Sequence, residues 1–301
     1  MTKDTTYLNK KAISYAATLS SVVSLLPIRK PDTPCIHRTN GIVSITTTPQ
    51  NGRWAYGKIP RMFLIYMQTL VRESSPMVDA ENRTVRLDKS FNSFCEHAGI
   101  PENGRKQHVT QMLENLGSTV IQVTNWFEDE NGHTVHDAVN IPIAERMRVC
   151  YDKDSAEYLK GSFIRFSEPM WRILNENPVP LNREITFNLG NSARALDIYQ
   201  WLARRTYYIS KPVLIPWSGL RMQFDSSDTP PRRFKERFKD ALKLVRKNWP
   251  ELRVEVVDDG LKLYPCRKSL ESGSRNIVDV PILESSEQPT MPASGTNGNP
   301  F

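Results

Sequence analysis

Hydrophobic positions recur at helical spacing along much of the chain, most clearly in residues 229–250, TPPRRFKERFKDALKLVRKNWP. At about 100° per residue, the apolar side chains of this segment fall on one stripe. They are Phe234, Phe238, Ala241, Leu242, Val245 and Trp249. The pattern predicts a helix that buries this stripe, with Pro230 and Pro231 at its start and Pro250 as its stop.

The same spacing, with capping residues at the starts and Gly or Pro at the ends, predicts seven further helices. Ser90 or Asp88 caps one of them and Gly99 ends it, while Asn191 or Ser192 caps the longest. The helical segments are KKAISYAATLSSVVSLL near the N-terminus, PRMFLIYMQTLVRE, DKSFNSFCEHAG, NGRKQHVTQMLENLG, SEPMWRILNEN, NSARALDIYQWLARRTYY and a short helix starting near Pro216.

Short runs rich in β-branched and aromatic residues predict strands between these helices. They are GIVSITTT, NRTVRLD, GSFIRFS, REITFNL, PVLIP and the two halves of each of two hairpins. The first hairpin, residues 118–143, turns around Asn131-Gly132. The second, LRVEVVDDGLKLYPC, is predicted to turn at Asp259-Gly260.

The predicted elements repeat one order twice: helix, short strand, helix, helix, hairpin. Two helices followed by a hairpin form a winged helix, a variant of the helix-turn-helix. We therefore predict an α+β fold with two tandem winged-helix domains. Residues 1–40 form an N-terminal helix and connector, residues 41–150 the first domain (for dimerisation or DNA contact), residues 151–266 the second domain (for DNA recognition) and residues 267–301 a disordered tail.

The composition indicates that the protein binds an anionic partner. The net charge is +7, which suits nucleic acid or an acidic membrane surface. No segment is long and apolar enough to span a membrane, so we expect no membrane association. Four scattered cysteines without a CxxC motif fit a reducing compartment such as the cytoplasm. The pairs Cys35/His37 and Cys95/His97 lack the clustering of a zinc site, so we expect no metal and no cofactor.

Positive charge concentrates on the helix at residues 231–249, which has eight Lys or Arg against two acids. An exposed helix usually mixes signs, because like charges four residues apart repel. The helix also occupies the recognition position of a winged helix, so it predicts contact with double-stranded DNA. The candidate DNA-binding residues are Arg232, Arg233, Lys235, Arg237, Lys239, Lys243 and Arg246. Arg232, Arg233 and Arg237 are the candidates for contact with guanine.

The corresponding helix of the first domain is less basic. Its candidate residues for DNA contact are Arg105, Lys106, Gln107 and Gln111. This helix either enters a groove more weakly, or its domain serves to pair two copies of the protein as a homodimer. The pattern leaves both open.

Residues 56–266 resemble the plasmid-encoded RepA family of replication initiators. The stretches that carry the resemblance are YGKIPRMFLIYMQTLVRES, LDKSFNSFCEHAGI and GRKQHVTQML in the first half, and SARALDIYQWLARRTYYISKPVLIPWSGLRMQF, RRFKERFKDALKLVRKNWPELRVEV and DGLKLYP in the second. The stretch ALDIYQWLARR is the most specific of them.

The resemblance implies a non-enzymatic protein that binds repeated DNA sequences at a plasmid origin and helps to open it. It also implies recruitment of the host initiator and the replicative helicase, and repression of the protein's own promoter by a dimer. Such a protein would lie in the bacterial cytoplasm, associated with the plasmid or the nucleoid.

Three alternatives remain at this point. One is a winged-helix transcription regulator, and another is a partition or phage protein with the same fold. The third is a rolling-circle initiator that nicks DNA with Tyr207 or Tyr208 and binds a metal through His133 and His136. No GxxxxGK[ST] motif is present, so we expect no ATP-driven unwinding by this chain.

Overall fold

The computed structural model describes residues 13–41, 43–87, 90–100, 106–150, 159–225 and 230–271. The helices are α1 (Thr18–Val22), α2 (Lys58–Arg72), α3 (Phe91–Ala98), α4 (Lys106–Gly117), α5 (Glu168–Asn175), α6 (Arg183–Leu189), α7 (Ala193–Tyr208), α8 (Trp217–Phe224) and α9 (Pro231–Asn248). The strands are β1 (Ile13–Ala16), β2 (Ile36–Thr39), β3 (Val43–Pro49), β4 (Val78–Asp79), β5 (Thr84–Arg86), β6 (Thr119–Glu128), β7 (Thr134–Pro142), β8 (Ala144–Arg148), β9 (Phe163–Phe166), β10 (Val179–Asn182), β11 (Val213–Pro216), β12 (Val254–Val257) and β13 (Gly260–Leu263). The candidate residue Arg105 and most of the predicted tail, residues 272–301, lie outside the described residues.

The second winged helix follows the predicted order. Helix α7 leads to strand β11, helices α8 and α9, and the β12–β13 hairpin. The strands form an antiparallel sheet in the order β11-β13-β12, so the hairpin folds back beside the strand that precedes α8. The side chain of Ser192 caps α7 by accepting from the backbone N–H of Ala195, as predicted.

The first winged helix contains α2, β5, α3, α4 and the long β6–β7 hairpin. Ser90 caps α3, and Gly99 ends it in the left-handed conformation with φ of 66°. Gly132 has φ of 77° in the turn of the predicted hairpin. The fold class predicted from the sequence is therefore confirmed.

Strand pairing crosses the boundary predicted at residues 150/151. Strand β8 lies before the boundary and β9 after it, yet the two pair with each other, and β9 also pairs with β5 of the first unit. The hairpin β6–β7 extends a second sheet, in the order β2-β3-β6-β7. One continuous core runs through both units, and their division into domains stays a prediction.

The predicted N-terminal helix is wrong over most of its length. Residues Ile13–Ala16 form strand β1, which pairs antiparallel with β10, and within the described part of the predicted helix, from Ile13 onward, only Thr18–Val22 are helical. Strand β10 offers free backbone groups, and pairing satisfies them on both strands. This contact between segments distant in sequence outweighs the local helical pattern.

The segment REITFNL is a helix, α6, rather than the predicted strand. Asn182 caps it, because its side chain accepts from the backbone N–H of Ile185. Ile185 and Leu189 lie four residues apart and are both buried. The cap and the spacing together favour a helix over the alternating pattern of a strand.

The second hairpin turns one residue earlier than predicted, around Asp258 and Asp259. Val257 pairs with Gly260, and Val254 pairs with Leu263. Gly260 therefore belongs to β13 and is needed there for close packing. A Cβ atom at this position would lie 2.0 Å from the carbonyl oxygen of Ile215 in β11.

A buried ion pair joins the two units. Arg61 of α2 donates to both carboxylate oxygens of Asp197 in α7, at 2.7 and 2.8 Å. Its remaining N–H groups donate to backbone carbonyls, among them that of Gly57 at 2.7 Å and that of Pro27 at 3.2 Å. Ser24 donates to the same carboxylate at 2.6 Å. The pair therefore ties α2, α7 and the segment that follows α1.

Replacing Asp197 by Ala is expected to lower the free energy of unfolding by about 3–5 kcal/mol, because Arg61 would remain charged and buried without its partner. Urea denaturation followed by circular dichroism measures this change. The control is Glu145→Ala, which removes the half-exposed partner of Arg83 and should cost at most about 1 kcal/mol. Equal decreases for the two variants would contradict the prediction.

Replacing Gly260 by Ala is expected to cost about 1–3 kcal/mol, because the new methyl group would force β13 away from β11. Gly219→Ala is the matched control. It lies within α8, where the nearest neighbouring atom is 4.0 Å from the added Cβ, so higher helix propensity should stabilise it by up to about 1 kcal/mol. Thermal unfolding of both variants tests the contrast, and a Gly260→Ala protein as stable as the wild type would refute it.

Candidate nucleic-acid interface

Helix α9 separates its apolar and basic residues as the sequence predicts. All six predicted core residues, from Phe234 to Trp249, are buried. Phe238 packs edge-on against Trp217 and Phe224 of α8, with ring centroids 5.9 and 5.5 Å apart. This packing fixes the rotation of α9 about its axis, which leaves the basic residues on the outside.

Five of the seven candidate residues of α9 are exposed, and two are half-buried. Lys235 and Arg237 are the half-buried ones. The exposed residues are Arg232, Arg233, Lys239, Lys243 and Arg246. We call the stripe of Arg232, Lys235, Lys239, Lys243 and Arg246 the α9 stripe.

Two lysines of the α9 stripe share one aromatic ring. The ammonium groups of Lys235 and Lys239 lie 5.4 and 5.7 Å from the ring centroid of Trp217. The indole N–H of Trp217 donates to the carbonyl of Val257 at 3.3 Å, which orients the ring. Attraction of the two ammonium groups to the ring offsets their mutual repulsion. This like-charge pair is therefore stabilised inside the protein and does not by itself require an external anion.

Two other cations of α9 pair with acids on the same helix. Arg232 contacts Glu236 at 3.1 Å, and Lys243 contacts Asp240 at 3.1 Å. The side chains of Arg232 and Lys243 are 93% and 78% exposed, so these pairs are weak and open to solvent. An incoming phosphate can replace either carboxylate at small cost.

Arg237 differs from the other candidates because it lies towards a buried charged cluster. This cluster contains Arg38 of β2, Arg194 of α7 and Asp225 at the end of α8, with Arg194 and Asp225 3.6 Å apart. Burial lowers the pKa of Arg194, and the charge of Arg237 lowers it further against the opposing effect of Asp225. Burial likewise lowers the pKa of Arg38 to about 10. Arg237 is the half-buried one of the three arginines predicted to contact guanine, and its contact with a base stays a prediction.

Sequence reasoning missed Trp217 and this cluster. Trp217 follows Pro216 at the start of α8, where a buried aromatic residue gives no sign of a role in orienting lysines. Arg38 lies on a short strand far from α8 in sequence. Only the packing of the folded chain brings these residues beside α9.

Helix α4 presents the first unit's candidates on a separate surface. Lys106, Gln107 and Gln111 are exposed, opposite the buried apolar residues of the same helix. Lys106 lies 5.9 Å from the ring centroid of Phe91. Among the described candidates of this unit, the surface offers one cation and two amides to a partner, fewer charges than α9 presents.

Both wings carry acids at their turns. Asp258 and Asp259 are exposed at the turn of the β12–β13 hairpin. In the β6–β7 hairpin, the exposed acids are Glu128, Glu130 and Asp137, and Asp129 is half-buried. Carboxylates repel phosphates, so these wings are poorly suited to the DNA backbone.

The two histidines of the nicking alternative contact different partners. His133 contacts Asp129 at 3.1 Å, whereas His136 stacks on Trp126 with ring centroids 4.2 Å apart. Among the described residues, no three His, Cys, Asp or Glu side chains are grouped to hold a metal ion. Burial raises the pKa of Tyr207, which disfavours the phenolate needed for attack.

Among the residues that the structure describes, no helix has the length and hydropathy needed to cross a membrane.

Comparisons with known proteins extend these observations. A family model described as "Plasmid encoded RepA protein" matches residues 54–216, a range that ends before α8 and α9. A crystal structure of domains 2 and 3 of RctB superposes with a TM-score of 0.52 at 12% identity, over 84% of this chain and 96% of that chain. A second structure, of RctB domains 2-3, superposes with a TM-score of 0.46 at 13% identity, over 75% of this chain and 81% of that chain. No curated protein sequence matches the chain. The first structural likeness shows a shared fold.

Proposed function

The chain belongs to the family of plasmid-encoded RepA proteins, and we propose on this premise that it is a replication initiator that binds duplex DNA of a plasmid origin through α9. The observation that carries the DNA-binding part is the α9 stripe. It lies on the third helix of a winged helix, opposite a buried apolar stripe, and its charges remain open to solvent.

Most of the α9 stripe would contact phosphates, which supply affinity and its salt dependence without reading sequence. Trp217 supports this role, because it holds Lys235 and Lys239 side by side before DNA arrives. Arg232 and Arg233 would donate to guanine in the major groove, and their exposure at the start of the helix supports this role.

The sequence specificity and the steps after DNA binding are inferred from family membership and remain part of the proposal. The protein would bind repeated sequences, help to open the origin, and recruit the host initiator and helicase. It would also repress its own promoter. It would not act as an enzyme itself, and the surroundings of Tyr207 and His136 support that expectation. Lys106, Gln107 and Gln111 would make weaker contacts, or their unit would pair two copies.

Replacing Lys239, Lys243 and Arg246 by Ala is expected to weaken binding to duplex DNA. It should also flatten the slope of log K against log salt by up to about 0.9 for each phosphate that the variant no longer neutralises. Fluorescence anisotropy across a salt series measures both quantities. The control is Arg29→Ala, Lys30→Ala and Arg53→Ala, which removes the same charge from exposed positions outside α9. An unchanged slope in the α9 variant, with its fold intact, would refute the interface.

A plasmid that carries the origin but lacks this gene is expected to replicate only when the protein is supplied in trans. Transformation efficiency in a host with and without the supplied gene tests this. Persistence without the protein would favour a transcription regulator with the same DNA chemistry.

Two further measurements complement the replication test in which the protein is supplied in trans. Footprinting beside the gene should show protection at regularly spaced direct repeats, since a single inverted repeat would indicate a repressor alone. Supercoiled origin DNA incubated with the protein and Mg²⁺ should stay supercoiled, whereas relaxation would favour the nicking initiator.

A further inference from the structure

The β6–β7 hairpin has a charge opposite to that of the rest of the protein. Residues 119–142 contain four Asp or Glu and no Lys or Arg. Since the whole chain has a net charge of +7, the other residues together carry a larger positive charge. A hairpin of this kind is repelled by DNA and attracted by a cationic protein surface.

One face of the hairpin is apolar beyond the end of the core. The cross-strand pair Ile121–Ile141 is buried, and the pairs Val123–Val139 and Phe127–Val135 continue the same face outward. Phe127 is 50% exposed and Val139 is 44% exposed. Strand β7 is also an edge of its sheet. The apolar face of the hairpin therefore extends beyond the core and is exposed to solvent there.

Asp137 lies in the middle of this apolar face. It pairs with Asn125 across the strands, between the pairs formed by Val139 and Val135. Its side chain is exposed. A partner that covers the apolar residues would also have to supply a cation opposite Asp137, because a carboxylate buried without one is costly.

A complementary surface lies at the C-terminal end of α7. Tyr208 is 75% exposed and packs edge-on against Tyr207 at 5.0 Å, while the ammonium group of Lys268 lies 4.1 Å above the Tyr207 ring. Arg204 precedes Tyr208 by one helical turn, and the exposed Lys211 follows it. The chain has no Asp or Glu from residue 198 to residue 224. We call Arg204, Tyr207, Tyr208, Lys211 and Lys268 the tyrosine patch.

We propose that the β6–β7 hairpin of one copy binds the tyrosine patch of a second copy, head to tail. The hairpin supplies an apolar face with a carboxylate, and the patch supplies exposed rings among cations. Both surfaces remain exposed within one molecule, so they do not cover each other there. Self-association of two hairpins would oppose their acids, which favours a contact between different surfaces.

Because this contact joins two different surfaces, all copies that it links point in the same direction. A contact between two different surfaces leaves a free hairpin at one end of the pair and a free patch at the other. Further copies can therefore add in the same orientation. Aromatic residues supply most of the affinity in such an interface, and charges at its rim make it sensitive to salt.

Two variants test the contact by complementation in the absence of DNA. The hairpin variant combines Phe127→Ala with Asp137→Ala, and the patch variant combines Arg204→Ala with Tyr208→Ala. In sedimentation velocity at low salt, wild-type protein should associate reversibly, and each variant alone should associate roughly tenfold more weakly or worse. An equal mixture should form one-to-one dimers, because each variant keeps the surface that the other lacks.

The control variant combines Glu81→Ala with Val256→Ala, which removes an exposed carboxylate and an exposed apolar side chain elsewhere; it should associate as the wild type does. Three outcomes would overturn the proposal: wild-type protein that is monomeric at its solubility limit, variants that associate undiminished, or a mixture that stays monomeric. Circular dichroism establishes that each variant is folded. The experiment needs no DNA, so its failure would leave the proposed function standing.

Discussion

The structure depends most on the buried ion pair between Arg61 and Asp197. Their side chains are 4% and 6% exposed, so the charges have little water to solvate them. Such a pair is tolerable only when every remaining donor and acceptor is satisfied in good geometry. Here the backbone carbonyls of Leu26, Pro27 and Gly57 accept from Arg61, and the hydroxyl of Ser24 accepts from Arg61 and donates to Asp197. These demands hold three separate parts of the chain in one arrangement.

The position of α9 follows from that arrangement through α7. Asp197 fixes α7 against α2, and Tyr199 on the same helix packs edge-on against Trp249 at the end of α9, with ring centroids 6.0 Å apart. Arg194 connects the start of α7 to Asp225 at the end of α8. The direction of the α9 stripe is therefore set relative to the first unit. If both units contact DNA, this geometry determines the spacing between the contacts.

Local signals make α7, α8 and α9 predictable from the sequence. Ser192 caps α7, Pro231 begins α9, and the apolar spacing of each helix matches its buried side. Strand β1 escapes prediction because pairing with the distant strand β10 decides it. Helix α6 carries local signals, the cap at Asn182 and the buried residues Ile185 and Leu189, and the strand prediction overlooked them. The α9 stripe is also predictable, since it needs only the helical period. Its support by Trp217 is not, because that contact depends on how α8 packs against α9.

The distribution of charge constrains how this fold can meet its partners. A basic chain attracts DNA to many surfaces, and most of those contacts would be unproductive. Acids at the turns of both hairpins repel the phosphate backbone at the places where a winged helix would otherwise add contacts. In the proposed mode of binding, DNA would be directed towards the α9 stripe, and the β6–β7 hairpin would be left available for protein. A head-to-tail contact through that hairpin repeats with one polarity, which is the polarity of direct repeats in DNA. Under both proposals the acids of the hairpin would have two effects, because the charge that repels DNA would also attract a basic protein surface.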